Sequence, residues 1–265
     1  TYQVVDTYSL VEQALDSALE YVAGTNPVNV AIITGHEDQD ISSITPVFER
    51  SNYVFDSVSL LTGEIKETTN LVLIAAPTVD FTTEEIAKLE AYLDNGGSLG
   101  KSLVYIGAAT QSELPNLEAF LAKWGIDVQD GLIYELDANA VYDNQLSPFV
   151  YPTENEYTDR LTNYQLEVLA PYLKPMEIGE GEEGVEVTSI LATNETCVRK
   201  PADAGEDWDY SRDDLQSYQV ALAGVKSNEQ SKSQVVAFAS MELFGYISEP
   251  VLNNGNLVLN VFNQI

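Results

Sequence analysis

Two apolar runs constrain the fold more than any other part of this chain. Val28 to Ile33 is nearly unbroken and rich in β-branched residues, and Leu71 to Ala76 is wholly apolar. A strand buried on one face alternates apolar and polar residues, whereas a strand covered on both faces of a parallel sheet does not. Both runs therefore predict central parallel strands. Tyr53 to Leu61 alternates and predicts a half-buried strand, and Ser102 to Gly107 predicts another. Helical patterns lie between them: Ile41 to Arg50 with Pro46 near its start, Glu84 to Asp94, and Leu114 to Trp124. Thr82-Thr83-Glu84-Glu85 offers a hydroxyl cap with acids in the first turn, and Gly96 a left-handed stop. Before the first strand, Tyr8 to Val22 carries apolar residues at three- and four-residue spacing, an amphipathic helix ended by Thr25-Asn26-Pro27.

Strands alternating with helices through short connections predict an α/β fold: a three-layer, Rossmann-like, mainly parallel sheet with helices on both faces. The middle of the chain is less regular. It holds Leu132 to Glu135, the Pro-flanked Ser147 to Pro152, a helix around Asp159 to Leu169, and the Gly/Glu loop Gly179 to Gly184. Val185 to Leu191, Gln219 to Val225 and Gln234 to Ala239 read as later strands, and Asn256 to Phe262 as a last helix. No linker composition interrupts the chain, so the expectation is one domain over 1–265, with a core of 28–135 and 219–265 and an elaboration at 136–218.

Charge limits the partners. The chain has 12 Lys+Arg against 42 Asp+Glu, a formal charge of −30, which repels nucleic-acid phosphates and anionic membrane surfaces. Such acidity suits a protein outside the cell, and it also suits a salt-adapted cytoplasmic one. The lone Cys197 excludes an internal disulfide framework and a thiolate zinc site. The chain begins at Thr1 and shows neither a basic signal-peptide start nor an apolar run of about 20 residues. The expectation is that something was removed, which leaves room for a membrane-anchored parent; the scarcity of Lys and Arg agrees, since positive charge is kept on the cytoplasmic side.

Several constellations invite chemistry. Gly96-Gly97-Ser98-Leu99-Gly100-Lys101-Ser102 imitates a phosphate-binding loop, but the spacing puts the first glycine at 95, where asparagine stands. The order is also helix, loop, strand, the reverse of what brings helix N-terminal amides to a phosphate. His36, the single histidine, lies just past a buried strand, at the edge where open α/β sheets bind ligands. A hydrolase needs a nucleophile at a strand-to-helix elbow, yet the turn after Val104-Tyr105-Ile106 reads Gly107-Ala108-Ala109. His36 is therefore read as holding its loop. Glu37, Asp38 and Asp40 with Asp80 form an acidic group that a hard cation would favour, though in so acidic a chain such groups arise by chance. Asp207 to Asp213 imitates a calcium loop but has Arg212 where the turn requires glycine. No catalytic, metal or cofactor site is expected, and the expected ligand rim is Gly35, His36, Glu37, Pro77 and Asp80.

Asn29 to Glu37, Asn70 to Pro77 leading to Asp80, the Glu84 to Gly97 helix, and Leu114-Pro115-Asn116-Leu117 with Trp124-Gly125-Ile126 resemble the extracytoplasmic domain of GldG-type, gliding-motility-associated auxiliary proteins of ABC transporters. The tail, Val235 to Ser240 and Asn254 to Asn260, is similar to the segment preceding the next membrane helix in such proteins. The resemblance implies a fold related to class I glutamine amidotransferases, held on the extracytoplasmic side of the cell membrane beside an ABC permease and ATPase. It implies a non-catalytic domain that binds a partner protein or a transported or envelope ligand, and no nucleic acid. An amidotransferase nucleophile would stand near Ala108 or Ala109, so glutaminase activity is not expected. The alternative is a carbohydrate- or ester-active hydrolase using His36 and the acidic loop.

Overall fold

The computed structural model describes residues 27–163, 165–205 and 208–265. The helix expected over Tyr8 to Val22 lies outside them. Strands β1 (Val28–Ile33) and β2 (Tyr53–Val58) flank helix α1 (Thr45–Glu49), and β3 (Leu71–Ala75) leads to α2 (Thr83–Asp94). Next come β4 (Ser102–Ile106), α3 (Pro115–Lys123), and the short strands β5 (Ile126–Val128), β6 (Leu132–Glu135), β7 (Phe149–Pro152), β8 (Val168–Leu169) and β9 (Met176–Ile178). The chain closes with β10 (Val185–Ala192), β11 (Cys197–Lys200), β12 (Gln219–Ser227), β13 (Lys232–Phe238), α4 (Glu242–Gly245) and α5 (Asn254–Gln264).

The main sheet runs β2-β1-β3-β4-β13-β12-β10-β7-β8, with β9 pairing β12 and β5 at one side. Its first five strands are parallel. Every residue of β3 and β4 is buried: β3 is wholly apolar, and Ser102, the polar first residue of β4, donates its hydroxyl to Ile265 O. From β13 onward the pairs are antiparallel. The reason is local: Asn228 closes a tight turn, its N–H donating to Ser231 O and its side-chain oxygen accepting from the N–H groups of Gln230 and Ser231. So short a connection can join only antiparallel neighbours. The fold is thus α/β, with a parallel half that carries the crossover helices and an antiparallel half contributed largely by the middle of the chain. Strands β6 and β11 form a separate antiparallel pair.

Helices cover both faces. Phe48 of α1 packs on Phe262 of α5 with ring centroids 4.5 Å apart, and Tyr53 Oη donates to Phe262 O, which sets α1 and α5 on one side. Helices α2 and α3 pack together on the other. Opposite faces follow from right-handed crossovers running outward in two directions, β1 to β2 one way and β3 to β4 the other. The antiparallel half is drawn close to α3 at Gly224 of β12, where a Cβ would lie 2.0 Å from Trp124 O. Only glycine permits that approach.

Three expected elements differ. The helix over Asp159 to Leu169 does not form. Asn163 is left-handed at φ 59°, Asn253 Nδ2 donates to Thr162 O and Asn163 O, and Asn254 takes both the N–H and the C=O of Leu169. These bonds replace the helix's own, the backbone turns at Leu161 N to Thr158 O and Leu166 N to Asn163 O, and Val168 and Leu169 join the sheet as β8. Helix α1 starts at Thr45 rather than Ile41, because Asp40 bonds the N–H and hydroxyl of Ser42 in a turn. Helix α2 ends in left-handed geometry at Asn95, φ 48°, one residue before the glycine expected to stop it. Among the described residues no helix is long and apolar enough to cross a membrane.

Candidate functional site

The C-terminal ends of the parallel strands form the edge at which such sheets take ligands, most often where successive crossovers diverge. Here that point lies between β1 and β3. Gly35 turns the chain out of β1 at φ 111°, a conformation L side chains rarely adopt. His36 follows and is buried, with 2% of its surface exposed. Its ring stacks on Phe81 with centroids 3.8 Å apart and planes within 10°. Nε2 lies 3.1 Å from Glu85 Oε1, in the first turn of α2.

Glu85 is itself held. Its second oxygen accepts from Thr82 N at 2.9 Å and Thr82 Oγ1 at 3.0 Å, while Thr82 Oγ1 accepts from Glu85 N. This reciprocal capping box fixes the start of α2, and His36 completes it from the loop after β1. The backbone stitches the same two loops together: Thr78 N and Val79 N donate to His36 O, and Gln39 N donates to Ala75 O.

The other expected rim residues gather at this edge but are turned to structural work. Glu37, exposed and left-handed at φ 53°, accepts from Thr78 Oγ1 at 3.1 Å. Pro77 O accepts from Gln111 Nε2 at 2.8 Å. Asp80 accepts from Asn116 N, Asn116 Nδ2 and Leu117 N at 2.9, 2.9 and 3.2 Å, capping α3 from a distant loop. The acidic group does not converge: among the described residues no three His, Cys, Asp or Glu side chains come together as metal ligands. Asp40 is spent on Ser42, whose backbone and hydroxyl bonds lower its pKa.

Among the described residues around His36 no hydrolase triad is assembled. With Nε2 committed to Glu85, a nucleophile would have to meet Nδ1, and that atom is buried without a partner. The elbow after β4 is plugged by a residue the sequence did not mark, Gln111. Its Oε1 accepts from Ala108 N at 2.7 Å and Tyr105 Oη at 3.0 Å, and the side chain is buried. Cys197 sits on β11, donating to Glu135 Oε2 at 3.3 Å, and burial pushes its thiol up to about 12. At neutral pH it is a thiol, not a nucleophilic thiolate. Lys101, the lysine of the false phosphate loop, spends its ammonium on Glu67 O and Thr69 O.

Open grooves lie elsewhere. One of about 390 Å³ runs between α2 and the 62–69 segment, with Glu64, Lys66, Glu67, Lys88 and Lys101 on its walls. A second, about 310 Å³, lies along β1 and β2, and a third, about 190 Å³, is bounded by Glu90, Asp94, Lys123, Trp124, Glu182 and Lys226. None of the three touches Gly35, His36, Glu37, Pro77 or Asp80.

No family model matches the chain, and no curated protein matches it by sequence. Among solved structures it is similar to the mmIFT52 N-terminal domain, with a TM-score of 0.64 and 16% identity over 89% of this chain and 96% of that one. PurLQS from Thermotoga maritima aligns at a TM-score of 0.43 and 9% identity over 91% and 99% of the two chains. A glutamine amidotransferase from the same organism aligns at 0.40 and 12% over 89% and 91%. At 16% identity the likeness to the mmIFT52 N-terminal domain is one of fold alone.

Proposed function

We propose that this chain is a non-catalytic binding domain, the extracytoplasmic auxiliary domain of a GldG-type ABC transport system, which engages the permease and ATPase subunits or a transported or envelope ligand. The observation that carries the non-catalytic half is the state of the sheet edge. His36 is stacked and paired to a capping glutamate, and the elbow after β4 holds Ala108 under the side chain of Gln111. An enzyme of this architecture would keep a nucleophile and an open approach at those positions.

The transport half rests on the resemblance of the Asn29–Glu37, Asn70–Asp80 and Glu84–Gly97 segments to that family, and on a formal charge of −30 that disfavours nucleic acid. A small ligand, if one binds, has more room in the groove between α2 and the 62–69 segment than at the stitched edge. Isolation of the natural protein from its own cells tests the reading: co-isolation with an ABC permease and ATPase is expected, and recovery alone from a membrane-free fraction overturns it.

A further inference from the structure

The segment Ala170 to Pro175 crosses the C-terminal end of β13 and is pinned at each residue. Ala170 N donates to Pro148 O, Tyr172 N to Leu146 O, and Lys174 N to Ala239 O, at 3.1, 2.8 and 2.9 Å. Pro171 O accepts from Ser240 Oγ, Leu173 O from Ile133 N, and Pro175 O from Gln129 N. These bonds hold Tyr172 at φ 52°, a backbone state that a bulky residue adopts only when its surroundings impose it. They also hold Lys174 in place with 7% of its surface exposed.

The chain has eight lysines. Lys66, Lys88, Lys123 and Lys232 pair with carboxylates, Lys101 bonds two carbonyls, and Lys200 lies over the Trp208 ring. Lys174 is more buried than any of these, yet no carboxylate or carbonyl of the described residues lies within bonding distance of its ammonium. The residue is not fully sealed off, since that remaining 7% of its surface meets solvent. Burial lowers its pKa against the opposing pull of Glu118, Asp130 and Glu113, none of which forms an ion pair with it. A buried lysine tuned in this way is a better nucleophile at neutral pH than a solvated one.

We propose that Lys174 is an acylation site, its amine taking the acyl group of an activated carboxyl donor, an acyl phosphate or a thioester. The Nζ lone pair bonds to the acyl carbon, the bond to phosphate or sulfur breaks, the leaving group departs with its electron pair, and the amine proton passes to water. The neutral amide suits a desolvated site better than an ammonium does. It also removes a cation that acts on Glu118, Asp130 and Glu113, so this end of the sheet becomes more negative. The inference does not depend on the transport reading.

Acetyl phosphate is the probe, used on the folded chain at neutral pH with peptide mass mapping of all eight lysines over time. Lys174 is expected to acetylate at least about threefold faster than Lys66, Lys226 and Lys232, and to lose that lead in concentrated urea, where burial is gone. Acetylation no faster than at those residues in the folded chain overturns the proposal, as does an equal lead in denaturant, which would trace reactivity to local sequence.

Discussion

Replacing Asp80 by alanine separates a structural rim from a binding one. The carboxylate accepts the N–H groups of Asn116 and Leu117, two of the donors that the start of α3 cannot satisfy within the helix, and also the amide of Asn116. Loss of a capping acceptor costs about 0.5–2 kcal/mol, and loss of a negative charge at a helix N-terminus about 0.3–1 kcal/mol. The two overlap, because one group provides both, so about 2 kcal/mol is expected for Asp80→Ala. In a chain of this size about 1 kcal/mol moves the melting temperature by roughly 2–4 °C, so a fall of about 6 °C follows. Asp80→Asn keeps an acceptor and loses the charge, and is expected to lose about half as much. Thermal and urea unfolding followed by circular dichroism read both variants. The reasoning is refuted if Asp80→Ala melts with the parent chain while its binding of a partner or ligand is lost, because Asp80 would then be a contact residue and not a cap.

Gly224→Ala is expected to destabilise by at least about 2 kcal/mol in urea unfolding, since the new methyl group meets the Trp124 carbonyl at 2.0 Å and only backbone movement relieves it. Lys174→Met is expected to stabilise at neutral pH. The folded-state pKa of Lys174 is depressed, so burying its charge opposes folding below that pKa, and the opposition fades as pH rises toward the ordinary lysine value of 10.5. The gain from methionine therefore shrinks across that alkaline window, and an unchanged gain at all pH values would contradict the assignment. Cys197, with its thiol pushed up to about 12, is expected to resist iodoacetamide in the native chain at pH 8 and to react on unfolding; rapid native labelling would show the site to be open.

Legibility in the sequence followed the range of the interactions. Strand β3 was readable because burial on both faces leaves an unbroken apolar run, and β4 because Leu103 to Ile106 leaves a shorter one. Both ends of α2 were readable to within a residue because Thr82, Glu85 and the Asn95-Gly96 pair act through neighbours a few positions away. The segment Asp159 to Leu169 carried helical spacing, yet Asn253 and Asn254, more than eighty residues later, bind its carbonyls in place of the helix's own bonds. The same limit applies at the edge. The position of His36 after a buried strand was visible, but its partner Glu85 is 49 residues on and read only as a capping acid. Gln111 was not marked, because its bonds to Ala108 and Tyr105 are made in β4 and the turn after it, and its bond to Pro77 forms only once that turn meets the loop after β3.

The most direct test of the proposed role is binding of the purified chain to its own transporter, measured by pull-down with the detergent-solubilised permease–ATPase complex and with the ATPase alone. Saturable capture by the complex, little capture by the ATPase alone, and the same capture by His36→Ala once its folding is verified are predicted. No capture by the complex, together with turnover of an ester or glycoside that His36→Ala abolishes, would contradict the account.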